Sequence, residues 1–105
     1  MAMEPARRAA WDAYLTLRVG LLPDLDALPV EDRRVAAKLT GLAVRIHRHA
    51  PLWADYGSRL VTVVSRARKL QRAGDRAGLT AVLRVMVLWL FRLSRGAVRL
   101  PGAQQ

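Results

Sequence analysis

Apolar residues recur along this chain at intervals of three and four, and Pro and Gly break the recurrence into four stretches. None of these is short, alternating and rich in β-branched residues, as a half-buried strand is. The pattern predicts an all-α protein, a compact bundle of about four helices in a single domain over residues 1–105. Helix one is expected from Pro5, a favourable first-turn residue, to about Val19, ending before Gly20 and Pro23. A linker from Leu21 to Leu28 follows and carries Asp24 and Asp26. Helix two should begin near Pro29, with Glu31 and Asp32 in a first turn whose dipole favours carboxylates, and stop at His49 or Ala50 ahead of Pro51. Helix three is expected from near Leu52 to Gly74, a suitable residue for a left-handed C-terminal position. Asp75 is placed to cap helix four, which should run to about Ser94 with Gly96 as its stop and residues 97–105 as a frayed tail.

At 100° per residue, helix two sets Val35, Leu39, Leu42, Ile46 and Ala50 on one face and gathers Arg34, Lys38, Arg45 and Arg48 on another. Gly41 falls inside that basic row. A helical glycine costs about 1 kcal/mol relative to Ala, so it calls for a reason: close approach of a backbone or phosphate strand, or packing against a neighbouring helix. In helix three, Tyr56, Leu60, Val63, Ala67 and Leu70 form a heptad-spaced seam with Val64 beside it, and Arg59, Arg66, Arg68, Lys69 and Arg72 spread over the opposite side. Helix four differs, since Val85 to Phe91 is apolar on every side, which predicts burial in the bundle, in a subunit interface, or in both. Arg84 and Arg92 bracket that run far short of the roughly 20 apolar residues a transmembrane span needs.

Composition sharpens the picture. With 105 residues, 52% of them apolar, the chain has material for one real core and is not disordered. No cysteine is present, which excludes disulfides and thiolate chemistry. Charged residues interrupt the first helix, so no secretory apolar region is expected there, and the protein reads as cytoplasmic. The formal charge is +10, and it is uneven: residues 1–29 are near neutral, whereas residues 30–96 form a basic helical core. Of 18 basic residues 16 are Arg, which a GC-rich genome explains as a ratio but not as an excess of positive charge. Like charges at i,i+4 cost about 0.2–0.5 kcal/mol per pair, and a polyanionic partner is the simplest compensation. The candidate binding residues are Arg34, Lys38, Arg45, Arg48, Arg59, Arg66, Lys69 and Arg72.

Candidate chemistry is sparse. His47 and His49 diverge by about 200° on a helix and cannot share a metal. Asp24, Asp26, Glu31 and Asp32 invite either a divalent ion or, more simply, turns and helix caps. No phosphate loop, zinc motif or nucleophile elbow occurs, so neither an enzymatic activity nor a cofactor is expected. Trp53 and Tyr56 lie near the basic region, where they either stack on exposed bases or pin helix three to its neighbour. Trp11 and Tyr14 repeat the spacing in the near-neutral helix, which favours packing.

A small, cysteine-free helical chain with the basic rows Arg34, Lys38, Arg45, Arg48 and Arg59, Arg66, Lys69 resembles the small subunits of CRISPR effector complexes. That resemblance, which covers roughly residues 30–95, implies a non-catalytic helical bundle that holds RNA or a single strand by its backbone within a larger ribonucleoprotein. It further implies contact with larger protein subunits and head-to-tail self-association, with Asp24 and Asp26 docking on a basic face of the next copy. Two alternatives come from other classes. One is a peripheral protein of anionic membranes, with helix four in the lipid and arginines on headgroups; the other is a structural or regulatory module for an acidic protein partner.

Overall fold

The computed structural model describes residues 4–96; the tail expected after Gly96 lies outside them. Its elements are α1 (Pro5–Leu15), a π-helical segment (Thr16–Leu21), α2 (Leu22–Ala27), α3 (Arg33–His49), a 3-10 turn (Ala50–Trp53), α4 (Asp55–Arg72) and α5 (Arg76–Ser94). The first three are continuous, so the chain folds as four helical arms, and no strand occurs among the described residues. The arms pack as a ring. The first arm touches α3, α3 touches α4, α4 touches α5, and α5 closes on α1, which leaves α3 and α5 at opposite corners. Every arm commits an apolar line to the shared core, including Leu17, Leu39, Leu60 and Leu83, all fully buried. Each such leucine stabilises the fold by about 1.5–3 kcal/mol.

Gly20 and Pro23 do not end the first helix, contrary to the expected linker over Leu21–Leu28. In a regular helix Pro23 would lack the N–H for the Val19 carbonyl and its ring would strike that oxygen. The chain instead widens by one residue, and the Leu22 N–H donates to the Leu17 carbonyl five residues back. This keeps Leu17, Leu21 and Leu25 all buried along one line. Tertiary burial of three leucines thereby overrides two local breakers.

Helix two also starts later than Pro29. Asp32 is the N-cap, its side chain accepting from the Arg34 N–H at 2.8 Å, and Glu31 precedes the helix. The buried face of α3 is Val35, Leu39, Leu42 and Ile46 as expected, with Ala43 added, while Ala50 is only half-buried in the 3-10 turn. That turn displaces the start of α4 to Asp55 rather than Leu52. Its cause is packing: Trp53 is fully buried and its indole N–H donates to the Ala6 carbonyl at 2.9 Å, fastening the turn to α1. Gly57 lies so near the turn that a Cβ there would stand 2.0 Å from the Ala50 carbonyl oxygen. The deepest line of α4 is therefore Gly57, Leu60, Val64, Ala67 and Gln71, with Tyr56, Val63 and Leu70 half-buried at its edge.

The remaining joints follow local rules. Gly74 takes φ +74°, its N–H donates to Gln71 and that of Asp75 to Leu70, the two bonds of a Schellman ending. Asp75 then caps α5 through the Gly78 N–H at 2.8 Å, and α5 ends at Ser94 with Gly96 at φ +69°. Three polar side chains tie the arms together. Gln71, buried, donates to the Val30 carbonyl at 3.0 Å. Arg76 donates to the carbonyls of Leu25 and Leu28, placing a cation on the carbonyl end of α2. Arg7 does the same for α5, its Nε donating to the Ser94 carbonyl at 3.2 Å.

Candidate functional site

The cationic row of α3 is exposed as its periodicity requires, but its members differ. Arg34 is turned back on Asp32, with Nε 3.1 Å from Oδ1. The Arg34 hydrogen bonds hold the Asp32 carboxyl below its ordinary range, and the same contact raises the guanidinium. Lys38 reaches Asp24 at 2.6 Å and the Gly20 carbonyl at 3.4 Å. Asp24 is thus engaged within its own chain. Arg45 and Arg48 have no carboxylate at ion-pair distance among the described residues.

On α4 the Arg59 guanidinium lies over the Tyr56 ring, 5.4 Å from its centroid. Arg66, Lys69 and Arg72 are exposed and have no acidic partner among the described residues, while Arg68 is half-buried. Spacings of three along Arg66, Lys69 and Arg72 stack like charges on adjacent turns, each pair costing about 0.2–0.5 kcal/mol.

The groove cations of α3 and Arg59 of α4 do not share a face. Lys38 and Arg45 border a groove shared with the π segment, lined also by Leu15, Thr16, Val19, Gly20 and Gly41. Arg59 borders the opposite seam, between α4 and α5, with Ser58, Thr62, Val63 and Trp89. Seven residues on, Arg66 falls within about 20° of Arg59 on the helical wheel and leans the same way. The α3 groove measures about 410 Å³ and continues into a smaller recess of about 140 Å³ formed by Gly41, Val44, Arg45, Arg48 and His49. Gly41 is not packed against another helix, since a Cβ there would meet nothing within 4 Å. Leu15, Thr16 and Val19 fall inside the expected first helix, but their place in a groove depends on how that helix packs beside α3, which spacing along one helix does not report.

Of the two alternatives set for the aromatic residues, packing holds for Trp53, Trp11 and Tyr14. Trp53 is fully buried and unavailable for stacking; His49 lies against it, ring centroids 6.4 Å apart. Trp11 stacks on Tyr14 at 5.2 Å, and Tyr14 meets Phe91 of α5 at 5.5 Å. Helix α5 is not buried all round: Leu79, Leu83, Met86, Leu90 and Leu93 face the core, whereas Val85, Leu88 and Phe91 are exposed between Arg84, Arg92 and Arg95. By length and composition alone α5 could cross a membrane, with 19 residues and a mean hydropathy of 1.6, but a core helix passes the same test. Among the described residues no group of three His, Asp or Glu side chains is placed to hold a metal ion.

What this arrangement offers chemically is cation without a paired acid, on two separate sides, one of them beside an apolar groove. No protein-family model matches the chain, and comparison with curated proteins and with solved structures finds no match.

Proposed function

We propose that this protein binds nucleic acid by its backbone, without sequence preference and without catalysis, using the cations of α3 and α4. The observation that carries the reading is that Arg45, Arg48, Arg66, Lys69 and Arg72 are exposed with no acidic partner among the described residues. Arginine suits the role because its planar fork meets phosphate oxygens in pairs. Phosphates would also relieve the repulsion stacked along α4. Its cellular setting is proposed to be a larger ribonucleoprotein, in the manner of the small helical subunits of CRISPR effector complexes that the chain resembles. The small helical bundle and its acid-poor cationic sides are the features shared with that group.

Titration of a labelled oligouridylate, long enough to reach both the α3 and the α4 cations, against salt tests the proposal. Each phosphate contact on a single strand contributes about 0.7 to the slope of log K against log salt. Alanine at Arg45, Arg48, Arg66 and Lys69 together is expected to lower that slope by about 3, with helical circular dichroism unchanged. An affinity and slope equal to those of the parent protein would overturn it.

A further inference from the structure

The six described glycines separate into two groups when each is asked why it is glycine. Gly57 is pressed on the Ala50 carbonyl, Gly78 on the Asp75 carboxylate, and Gly74 and Gly96 hold positive φ. Gly20 and Gly41 have no such reason: each has open space where a Cβ would stand. Both line the same groove, between the π segment and α3. Gly41 sits mid-helix, where glycine is a poor helix former. The fold alone does not account for it.

The groove has two unlike compartments joined at Gly41 and Arg45. The larger, about 410 Å³, is walled chiefly by Leu15, Val19 and the bare glycine backbones, within the size range of small-molecule sites. The smaller carries Arg45, Arg48 and His49. An occupant must therefore present an apolar body about the size of one ring system and, next to it, an anion. A nucleotide unstacked from its strand has that form, with base in the apolar chamber and phosphate on the arginines. A duplex does not, because its bases are stacked and paired, so that only their edges reach the grooves and no base face is free to enter an apolar site.

We infer that the α3–π groove is a base-receiving subsite, and that the strand this protein holds is single-stranded. The inference rests on the backbone-binding reading above and adds to it a place for one base. Arg45 and Arg48 stand one turn apart on α3 and grip the phosphate that follows the base; Leu15 and Val19 lie against one side of it; Gly41 keeps the passage between the compartments open. Thr16 spends its hydroxyl proton on the Asp12 carbonyl at 2.9 Å, leaving the oxygen to accept from a base N–H such as the N3–H of uracil.

Gly41→Leu sets its Cβ in open space and carries its branch into the groove, and leucine is the better helix former, so the variant is expected to fold as the parent does, with helical circular dichroism as the check. Four probes are compared by fluorescence anisotropy on the full chain: an oligouridylate, an abasic strand of equal charge, an RNA duplex of equal length, and phosphatidylserine vesicles. G41L is expected to weaken oligouridylate binding about tenfold, the ratio expected from losing the burial of one base. It should leave the abasic strand and the duplex unchanged, while the Arg45→Ala, Arg48→Ala double variant weakens all three nucleic acids. Oligouridylate binding unaltered by G41L, alongside weakening by the arginine variant, overturns the subsite and leaves backbone binding standing. Nucleic-acid binding indifferent to the arginines overturns both. Vesicle binding lost in G41L, with no binding to any nucleic acid, would reassign the groove to a lipid headgroup and chain.

Discussion

Lys38 Nζ lies 2.6 Å from an Asp24 carboxylate oxygen, so a cation of α3 is held by an acid of α2 in the same chain. Both side chains are partly exposed, and an ion pair of that kind contributes about 0–1 kcal/mol to stability. Its larger effect is on availability. A phosphate that recruits Lys38 must first displace Asp24.

Asp24→Asn is accordingly expected to increase affinity for single-stranded nucleic acid and to steepen the salt slope by about 0.7, the contribution of one added phosphate contact. Salt titration of a labelled oligonucleotide measures both. An unchanged slope would show that Lys38 lies off the path of the strand.

The glycines of α3 and α4 should respond in opposite directions to the same substitution. Gly57→Ala drives a methyl into the Ala50 carbonyl, 2.0 Å away, and moving the turn to relieve it costs about 1–3 kcal/mol. Gly41→Ala adds a methyl in open space and should gain about 1 kcal/mol of helix propensity. Urea denaturation of the two variants decides the matter, and a stabilising Gly57→Ala would mean that the turn does not lie against α4 as described.

Ala54 has φ +50° and ψ −127°, a conformation suited to glycine, at the step between the 3-10 turn and α4. Strain of this kind costs about 1–3 kcal/mol, of which the extra freedom that glycine gives the unfolded chain takes back about 0.4–1 kcal/mol. Ala54→Gly should raise stability by about 1 kcal/mol, read as a higher urea midpoint at constant slope.

Acid should loosen the start of α3. Asp32 is held below its ordinary value of 3.8 by the Arg34 hydrogen bonds, so its contribution is complete above that value and is lost as pH falls through the lowered one. Asn caps helices as well as Asp but does not titrate there. The difference in stability between the parent and Asp32→Asn should therefore be constant above about pH 5 and change only on the acid side, as urea midpoints across that range will show.

Where local chemistry decides, the structure was legible beforehand. Asp75 caps α5 and Gly74 ends α4 because each needs only its immediate neighbours, and the buried face of α3 follows from spacing alone. The first arm was misread because Gly20 and Pro23 are strong breakers locally, whereas the force that carries the helix past them comes from burying Leu17, Leu21 and Leu25 against other arms. The helix-three seam was placed slightly off because Gly57, which has no side chain to count as apolar, is the residue that turns toward the core. Of the candidate cations, exposure was readable and long-range pairing was not: Asp24 meets Lys38 only because α2 and α3 pack together, whereas Tyr56 and Arg59 meet as residues three apart on one helix. The groove itself lay hidden, since it forms only where the first arm and α3 pack side by side, which no spacing within either helix reports.

The separation of the two basic rows sets how length enters binding. Arg45 opens toward the first arm and Arg59 toward α5, so no straight strand lies on both. A short oligonucleotide engages one side at a time, and the two sides compete for it. A strand long enough to pass around the α3–α4 edge meets the second side as an intramolecular event, and its gain is avidity set by effective concentration rather than by any further contact chemistry. Affinity should then rise in a step with strand length, at the length where the chain first rounds that edge.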